Sequence, residues 1–143
     1  MRYFFLPLLL SLFFNCFYEP AEGQMNGFPY IQTLPIEQYG IRNEIVSMAQ
    51  DERGLIYLGT SNGILQYDGH YWERIKSGAN PALTCGPNGT IFSGQYNDFG
   101  FLQETSGGIH FQSLLDSSMA AKKISGVVRC GKKIFFSSEK NLY

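Results

Sequence analysis

Short runs of apolar and aromatic residues alternate with glycine-containing turns along most of this chain. Between residues 45 and 76 the turns recur every six to nine residues and include the pairs Asn62-Gly63 and Asp68-Gly69. Asn-Gly and Asp-Gly between β-forming runs are strong hairpin signals, because these residues accept positive φ angles. The pattern predicts four consecutive strands, which are Ile45–Gln50, Leu55–Thr60, Ile64–Tyr67 and Tyr71–Lys76.

This strand pattern returns in a second unit. Gly89–Gly94 matches Gly54–Gly59 at an offset of 35 residues, and Gly100 matches Gly63 at an offset of 37 residues. The difference between the offsets predicts a two-residue insertion between the middle strands of the second unit. The segment Leu114–Lys123 is then a long loop after this unit, since it lacks a sustained helical period.

A third copy begins at Ile124, has Cys130–Ser137 as its second strand and starts its third strand at Asn141. A unit of roughly 35 to 45 residues with four strands is typical of a β-propeller blade, because one sheet cannot cover both of its apolar faces. We therefore predict an all-β fold, a β-propeller of which about two and a half four-stranded blades are present. A closed ring needs about four blades or more, so we expect a fragment of a longer protein with an incomplete ring. The blades are assigned to residues 45–80, 81–123 and 124–143.

The first 23 residues have the features of a signal peptide. Arg2 gives a positive start, and the fourteen residues Phe4–Phe17 are almost wholly apolar. Such a run is too short to span a bilayer but suits the apolar core of a signal peptide. Small residues at Ala21 and Gly23 predict cleavage between Gly23 and Gln24, and hence an exported protein.

Two features near the N-terminus leave alternatives open. Cys16 would carry a lipid anchor in a lipoprotein, but the residue before it, Asn15, is not small, which disfavours that alternative. Residues 24–44 form an extended leader, because Pro29 and Pro35 exclude a central strand. This leader either closes the ring as an edge strand beside the last blade or is a loosely held terminus.

The composition agrees with a folded β-rich domain and narrows the classes of partner. Of the 143 residues, 44% are hydrophobic and 16% are charged, which excludes a disordered tail. Sixteen glycines with 12 Phe, 9 Tyr and 1 Trp suit many short strands joined by tight turns. The net charge of −1 provides no basic surface of the kind that binds nucleic acid.

The sequence predicts no metal or cofactor site. After signal cleavage two cysteines remain, Cys85 and Cys130, which either pair or stay as buried free thiols. The free-thiol alternative is favoured, since nothing in the sequence fixes the Cα separation that a disulfide requires. There is no Cys-x-x-Cys or Cys/His cluster, and the two histidines, His70 and His110, lack partners at ligand spacing. The sequence therefore disfavours a structural zinc site.

The sequence also contains no catalytic constellation, and its polar and aromatic positions have structural explanations. Asp51 and Asp68 are predicted to bond the backbone of their own turns. Tyr57, Phe92 and Phe135 occupy equivalent strand positions and are predicted to pack between blades. A sugar-binding aromatic platform is the alternative for such residues.

A ligand is expected on the edge that carries the turns between second and third strands and the linkers between blades. Loops on a rigid scaffold are where recognition usually occurs. The segment 95–99 contains the predicted insertion and offers an aromatic face beside polar groups. Tyr96, Asn97 and Asp98 are therefore the candidate ligand-binding residues.

Residues Gln50–Trp72, with the sequence QDERGLIYLGTSNGILQYDGHYW, resemble the two-component regulator propeller repeat. That pattern is an acidic turn, Gly, an aromatic strand, Gly-Thr or Gly-Asn, Gly-Leu or Gly-Ile, then Tyr-Asp-Gly and a terminal Trp or Phe. The likeness covers about residues 30–143 and is most specific in the first unit. It departs at Val46, where many relatives carry an aromatic residue.

The resemblance implies an extracytoplasmic sensor of Bacteroidetes-type regulators, at the periplasmic face of the inner membrane. Such propellers are usually followed by a β-sandwich, a transmembrane helix and a histidine kinase or helix-turn-helix output module, all absent from this chain. We therefore expect ligand sensing without catalysis here, with an unknown small molecule or glycan as partner. Membrane association through the downstream helix and a homodimer are further expectations. The alternatives are an exported propeller enzyme, such as a quinoprotein dehydrogenase or polysaccharide lyase, and a non-catalytic carbohydrate-binding module.

Overall fold

The computed structural model describes residues 44–116 and 123–143, together with the single positions Ile31 and Thr33. The predicted signal peptide, its cleavage site at Gly23 and Gln24, Cys16 and nearly all of the leader lie outside the described residues. All described strands belong to the unit Pro35–Tyr143.

The described residues confirm the predicted all-β class. Their regular elements are ten strands and one short 3-10 turn at Pro87–Gly89. The four strands predicted for the first unit are present, each within one residue of its predicted bounds. No helix in these ranges has the length and apolar character needed to cross a membrane.

Two four-stranded antiparallel sheets and one hairpin follow each other along the chain. In each sheet the strands pair in sequence order, as a simple meander. The first sheet consists of β1 (Ile45–Gln50), β2 (Ile56–Thr60), β3 (Gly63–Tyr67) and β4 (Trp72–Ile75). The second consists of β5 (Ala82–Cys85), β6 (Ile91–Gln95), β7 (Asp98–Thr105) and β8 (Gly108–Ser113). The hairpin consists of β9 (Ile124–Cys130) and β10 (Lys133–Ser138).

The third strand predicted to start at Asn141 is represented by one bridge between Ser137 and Leu142. Residues 114–116, which begin the predicted long loop, have no regular secondary structure, as expected. Cys130 ends β9 instead of opening the following strand, because it pairs with Lys133 across a two-residue turn.

The register of the second sheet corrects the predicted insertion. Gly59 pairs with Ile64 in the first sheet, and Gly94 pairs with Phe99 in the second, so the offset of 35 continues through the β2–β3 and β6–β7 turns. Both turns have two residues, and no insertion lies between the middle strands. The extra length falls at the far end of β7, which has eight residues where β3 has five. Gly100 is therefore the counterpart of Leu65 and not of Gly63, because cross-strand pairing and burial of alternate side chains set the register.

Two hydrophobic clusters lie between the three β-structures. Tyr57 from the first sheet packs in an aliphatic cluster shared with the second sheet, and Phe92 packs in an aromatic-rich cluster shared with the hairpin. These equivalent positions thus fill successive interfaces, as predicted for residues that pack between repeated sheets. The first cluster consists of Ala49, Tyr57, Ile64, Ile75, Leu83, Ile91 and Leu102. The second is built on Phe99, Ile124, Val127 and Phe136.

Two equivalent glycines allow each sheet to approach the next. A Cβ atom placed on Gly59 would overlap the carbonyl oxygen of Pro81, and one placed on Gly94 would overlap the side chain of Ile124. Any other residue would push the sheets apart, because packed interiors have no room for an added methyl group. The glycine recurs at an offset of 35 because the same close approach recurs.

Candidate functional site

The predicted candidate residues lie at the β6–β7 turn. Tyr96 and Asn97 form its tip between the paired residues Gln95 and Asp98. The Tyr96 side chain is 68% exposed, and Asn97 is exposed with a φ of 60°, a conformation that asparagine accepts at little cost. The aromatic face and the amide are therefore open to solvent. Ligand contact at these two residues stays a prediction.

Asp98 has a structural role at the same turn, because its carboxylate is hydrogen-bonded within the second sheet. Its Oδ1 accepts hydrogen bonds from the Ser113 hydroxyl at 2.6 Å and from the Phe99 backbone N–H at 2.8 Å. The Ser113 hydroxyl in turn accepts the backbone N–H of Leu115 at 3.1 Å. The carboxylate thus ties the start of β7 to the end of β8, a role that the sequence did not reveal.

The linker after the first sheet reaches this edge of the molecule. The Gly78 backbone N–H donates to the Gln95 side-chain oxygen at 2.5 Å, and the Asn80 N–H donates to the Thr60 carbonyl at 2.8 Å. Gln95 is buried, so this bond is partly shielded from water. This confirms the expectation that the linker between the first two units lies at the same edge as the β2–β3 and β6–β7 turns.

A second group of polar residues lies at the opposite edge, in the β1–β2 turn. Asp51 Oδ1 accepts the backbone N–H groups of Arg53 and Leu55, both at 2.9 Å. Its Oδ2 accepts the Arg53 Nε–H at 3.0 Å and the Tyr57 hydroxyl at 3.4 Å. The predicted turn role of Asp51 is confirmed, but the side chain is only 2% exposed and also organises its neighbours.

Arg53 extends this network from the first sheet to the second. Its guanidinium also contacts Glu104 Oε2, on β7, at 3.0 Å. The hydrogen bond from Arg53 to Asp51 is the main cause that raises the pKa of the guanidinium above its usual value. Burial, followed by the charge of Asp51, raises the pKa of the Tyr57 hydroxyl. The acidic turn was visible in the sequence, but its partner Glu104 lies 51 residues away and could not be identified from it.

The network lines a cleft of about 350 Å³ between the two sheets, named here the turn cleft. Two of its carboxylates, those of Asp51 and Glu104, are engaged with Arg53 and connect the two sheets, and Glu52 also lines the cleft. Its wall also includes Asn88, Thr90, Ile91, Leu102 and Ile109.

A further cleft, of about 300 Å³, lies where the first strand of each unit begins, and it is named here the strand-start cleft. It has an apolar surface from Val46, Pro81 and Ile124. Charged groups are contributed by Glu44 and Lys123. The sequence offered no signal for it, because the residues come from three separate units.

The remaining candidates for chemistry are turn and surface residues. Asp68 Oδ1 accepts the backbone N–H groups of Tyr71 at 2.6 Å and His70 at 2.7 Å. These two hydrogen bonds lower the pKa of the Asp68 carboxyl, and the bond from Tyr71 has the larger effect. This confirms its predicted turn role. His70 and His110 are both exposed. Within the described ranges no three metal-ligating side chains converge.

The two cysteines are free thiols. Cys85 is half-buried, and burial raises the pKa of its thiol. Cys130 is exposed, so the prediction that both thiols are buried is wrong for this residue, which lies beside a hairpin tip.

The described surfaces thus provide binding chemistry, with an exposed aromatic residue, amides and a mixed-charge cleft. Arg53 and Asp98 are held by partners within the fold. Comparison of the chain with protein-family models, with curated proteins and with solved structures found no match.

Proposed function

We propose that this chain forms blades of an exported β-propeller that senses a small molecule or glycan for a transmembrane signal-transduction regulator. The observation that carries the proposal is the repeat of one four-stranded meander in the same register, with a hydrophobic cluster between each unit and the next. The output module, a histidine kinase or a helix-turn-helix regulator, belongs to parts of the protein outside this chain.

The way the sheets are stacked supports a blade arrangement. The first strand of each unit lies beside the first strand of the next, since β1 contacts β5 and β5 contacts β9. Sheets that meet through their first strands can fan around an axis, as propeller blades do. The repeated close approach at Gly59 and Gly94 favours the same geometry at each step.

The proposed ligand binding is supported by the exposed residues of the β6–β7 turn, at one edge of the second sheet. Tyr96 and Asn97 are exposed, and the hydrogen bonds of Gln95 and Asp98 hold the two ends of their turn. A recognition loop needs such support, because ordering a mobile loop on binding costs affinity. Export through the signal peptide would place this edge outside the cytoplasm, where an environmental ligand is met. A homodimer anchored by a downstream membrane helix completes the proposal.

Thermal unfolding of the exported chain against a library of oligosaccharides and small metabolites tests the proposal. A ligand should raise the melting temperature, and Tyr96→Ala combined with Asn97→Ala should remove that increase. Tyr71→Ala is the matched control, because Tyr71 is 75% exposed in the β3–β4 turn. A ligand that is converted to product contradicts the proposal and favours the enzyme alternative. A ligand whose effect survives the double variant shows that the β6–β7 turn is not its binding site.

A further inference from the structure

The strand-start cleft is built from equivalent positions of all three units. Ser47 pairs with Gly59, Ala82 with Gly94 and Gly126 with Ser137. In each first strand the residue before the paired one lines the cleft. These residues are Val46, Pro81 and Ser125. The cleft is therefore a feature of the repeat itself, at the point where the three first strands converge.

Backbone irregularities recur at the same three positions. The pairing of β1 shifts between Ile45 and Ser47, which leaves Val46 as an extra residue, and the pairing of β9 shifts in the same way at Ser125. The middle unit has Pro81 there, a residue that cannot donate to a ladder. Bulges are frequent next to binding sites because they redirect a side chain out of the regular alternation. Here they occur at two of three equivalent positions around one cavity.

The charges at this cleft are of opposite sign and come from the first and third units. Glu44 precedes β1 and Lys123 precedes β9, and both residues line the cavity. Among residues 44–116 and 123–143, neither of them forms an ion pair or a side-chain hydrogen bond. In contrast, Arg53 and Glu104 at the opposite edge pair with each other. The strand-start cleft thus offers one carboxylate and one ammonium group that have no charged partner within the described ranges.

We propose that the strand-start cleft binds a small zwitterion with an apolar side chain, of the size of a free amino acid. Lys123 would hold the ligand carboxylate, Glu44 its ammonium group, and the apolar side chain would lie on Val46, Pro81 and Ile124. A volume of about 300 Å³ is at the low end of ligand pockets, which suits a molecule of this size. Charge-assisted hydrogen bonds to both ends of the ligand would fix its orientation. This inference rests on the proposed ligand-sensing function and names a site and a ligand class for it.

Calorimetric titration of the full exported chain with L-leucine, N-acetyl-L-leucine and L-leucinamide tests the assignment. The last two probes lack the ammonium and the carboxylate charge, respectively. L-leucine should bind at least about tenfold more tightly than either, since each lost charge pair removes a strong polar contact. Glu44→Gln should weaken L-leucine binding and abolish the discrimination against N-acetyl-L-leucine. Lys123→Gln should do the same for L-leucinamide.

Glu139→Gln and Lys140→Gln are matched controls, because both residues are exposed in the segment after β10 and do not line the cleft. They should leave all three affinities unchanged. The absence of L-leucine binding, or equal affinity for the three probes, overturns this inference. If ligands that depend on Tyr96 are found while L-leucine does not bind, the proposed function stands and only this assignment fails.

Discussion

At the scale of single residues, two buried hydroxyl groups show how much depends on a hydrogen-bonding partner. Thr60 and Ser93 are each at most 2% exposed. The Thr60 hydroxyl donates to the Gly63 carbonyl at 2.9 Å and accepts the Asn62 backbone N–H at 3.2 Å, which closes the β2–β3 turn. The Ser93 oxygen has no hydrogen-bond partner within the described structure. A buried polar group without a partner costs stability, because it has lost its hydrogen bonds to water.

Removing these two hydroxyl groups should therefore have opposite effects. Thr60→Val keeps the volume but loses two hydrogen bonds, and it should lower the free energy of unfolding by about 1–2 kcal/mol. Ser93→Ala should leave that free energy unchanged or raise it by about 1 kcal/mol. Urea unfolding of both variants and the parent chain measures the difference. A larger loss for Ser93→Ala than for Thr60→Val would show that Ser93 has a partner.

The buried hydroxyl of Tyr57 should make the stability of the fold sensitive to alkaline pH. Burial and the charge of Asp51 raise its pKa above the ordinary value of 10.0, so the fold favours the neutral phenol. The neutral Tyr57 hydroxyl contributes fully to stability below pH 10. This contribution is lost as the pH rises through the pKa of Tyr57 in the folded state, which is higher than in the unfolded state. The urea midpoint of the parent should therefore fall more between about pH 8 and 10.5 than that of Tyr57→Phe. Tyr71→Phe changes an exposed residue and should behave like the parent.

At the scale of elements, the same short turn closes one hairpin in each four-stranded sheet. Thr60 and Gly63 flank a two-residue turn in the first sheet, and Thr105 and Gly108 flank one in the second. Each threonine hydroxyl donates to the carbonyl of its glycine, at 2.9 and 3.0 Å, and each glycine has a φ of 107°. Local chemistry of this kind is readable from sequence, since turn residue, hydroxyl and glycine are neighbours in the chain.

The approach between elements depends instead on Gly94. Gly94→Ala should lower the free energy of unfolding by about 1–3 kcal/mol, because the new methyl group would overlap Ile124 and press on Val127. Gly107→Ala is the control, since its Cβ would lie an ordinary 3.6 Å from the nearest side-chain atom, in His110. That control should change stability by less than about 0.5 kcal/mol in the same urea titration. Equal effects of the two changes would contradict the close approach of β6 and β9.

At the scale of the whole molecule, the β9–β10 hairpin is held by aromatic contacts with the second sheet. Phe136 lies between Phe99, with ring centroids 4.7 Å apart, and Phe92, at 6.3 Å. Tyr143 contacts Phe99 at 5.1 Å and extends the cluster. A two-stranded hairpin is marginal by itself, so this cluster is what keeps it ordered.

Phe136→Ala should therefore release the hairpin from the second sheet. The loss should be about 3–5 kcal/mol, and amides of β9 and β10 should exchange with solvent faster, while those of the first sheet keep their protection. Phe135→Ala is the matched control on the opposite face of the same strand, where the side chain is only half-buried. Similar exchange rates in both variants would show that the aromatic cluster does not hold the hairpin.

Much of the fold could be predicted from sequence, and much of the candidate site could not. Strand positions and turns followed from alternation and turn chemistry, as the bounds of β1–β4 show. The insertion was misplaced because Gly100 resembles Gly63 in local sequence, while pairing aligns it with Leu65. Asp98 was expected to face a ligand, but its Oδ1 is bonded to Ser113 on another strand.

The sequence by itself determined where strands begin and end and that one strand unit recurs, because these properties depend on residues within a few positions of each other. Only the tertiary structure decided the register at the far end of β7 and the bond from Arg53 to Glu104. It also decided that Glu44 and Lys123 share one cleft. These features join residues that are far apart in the chain, and they exist only because side-chain packing stacks the sheets through their first strands.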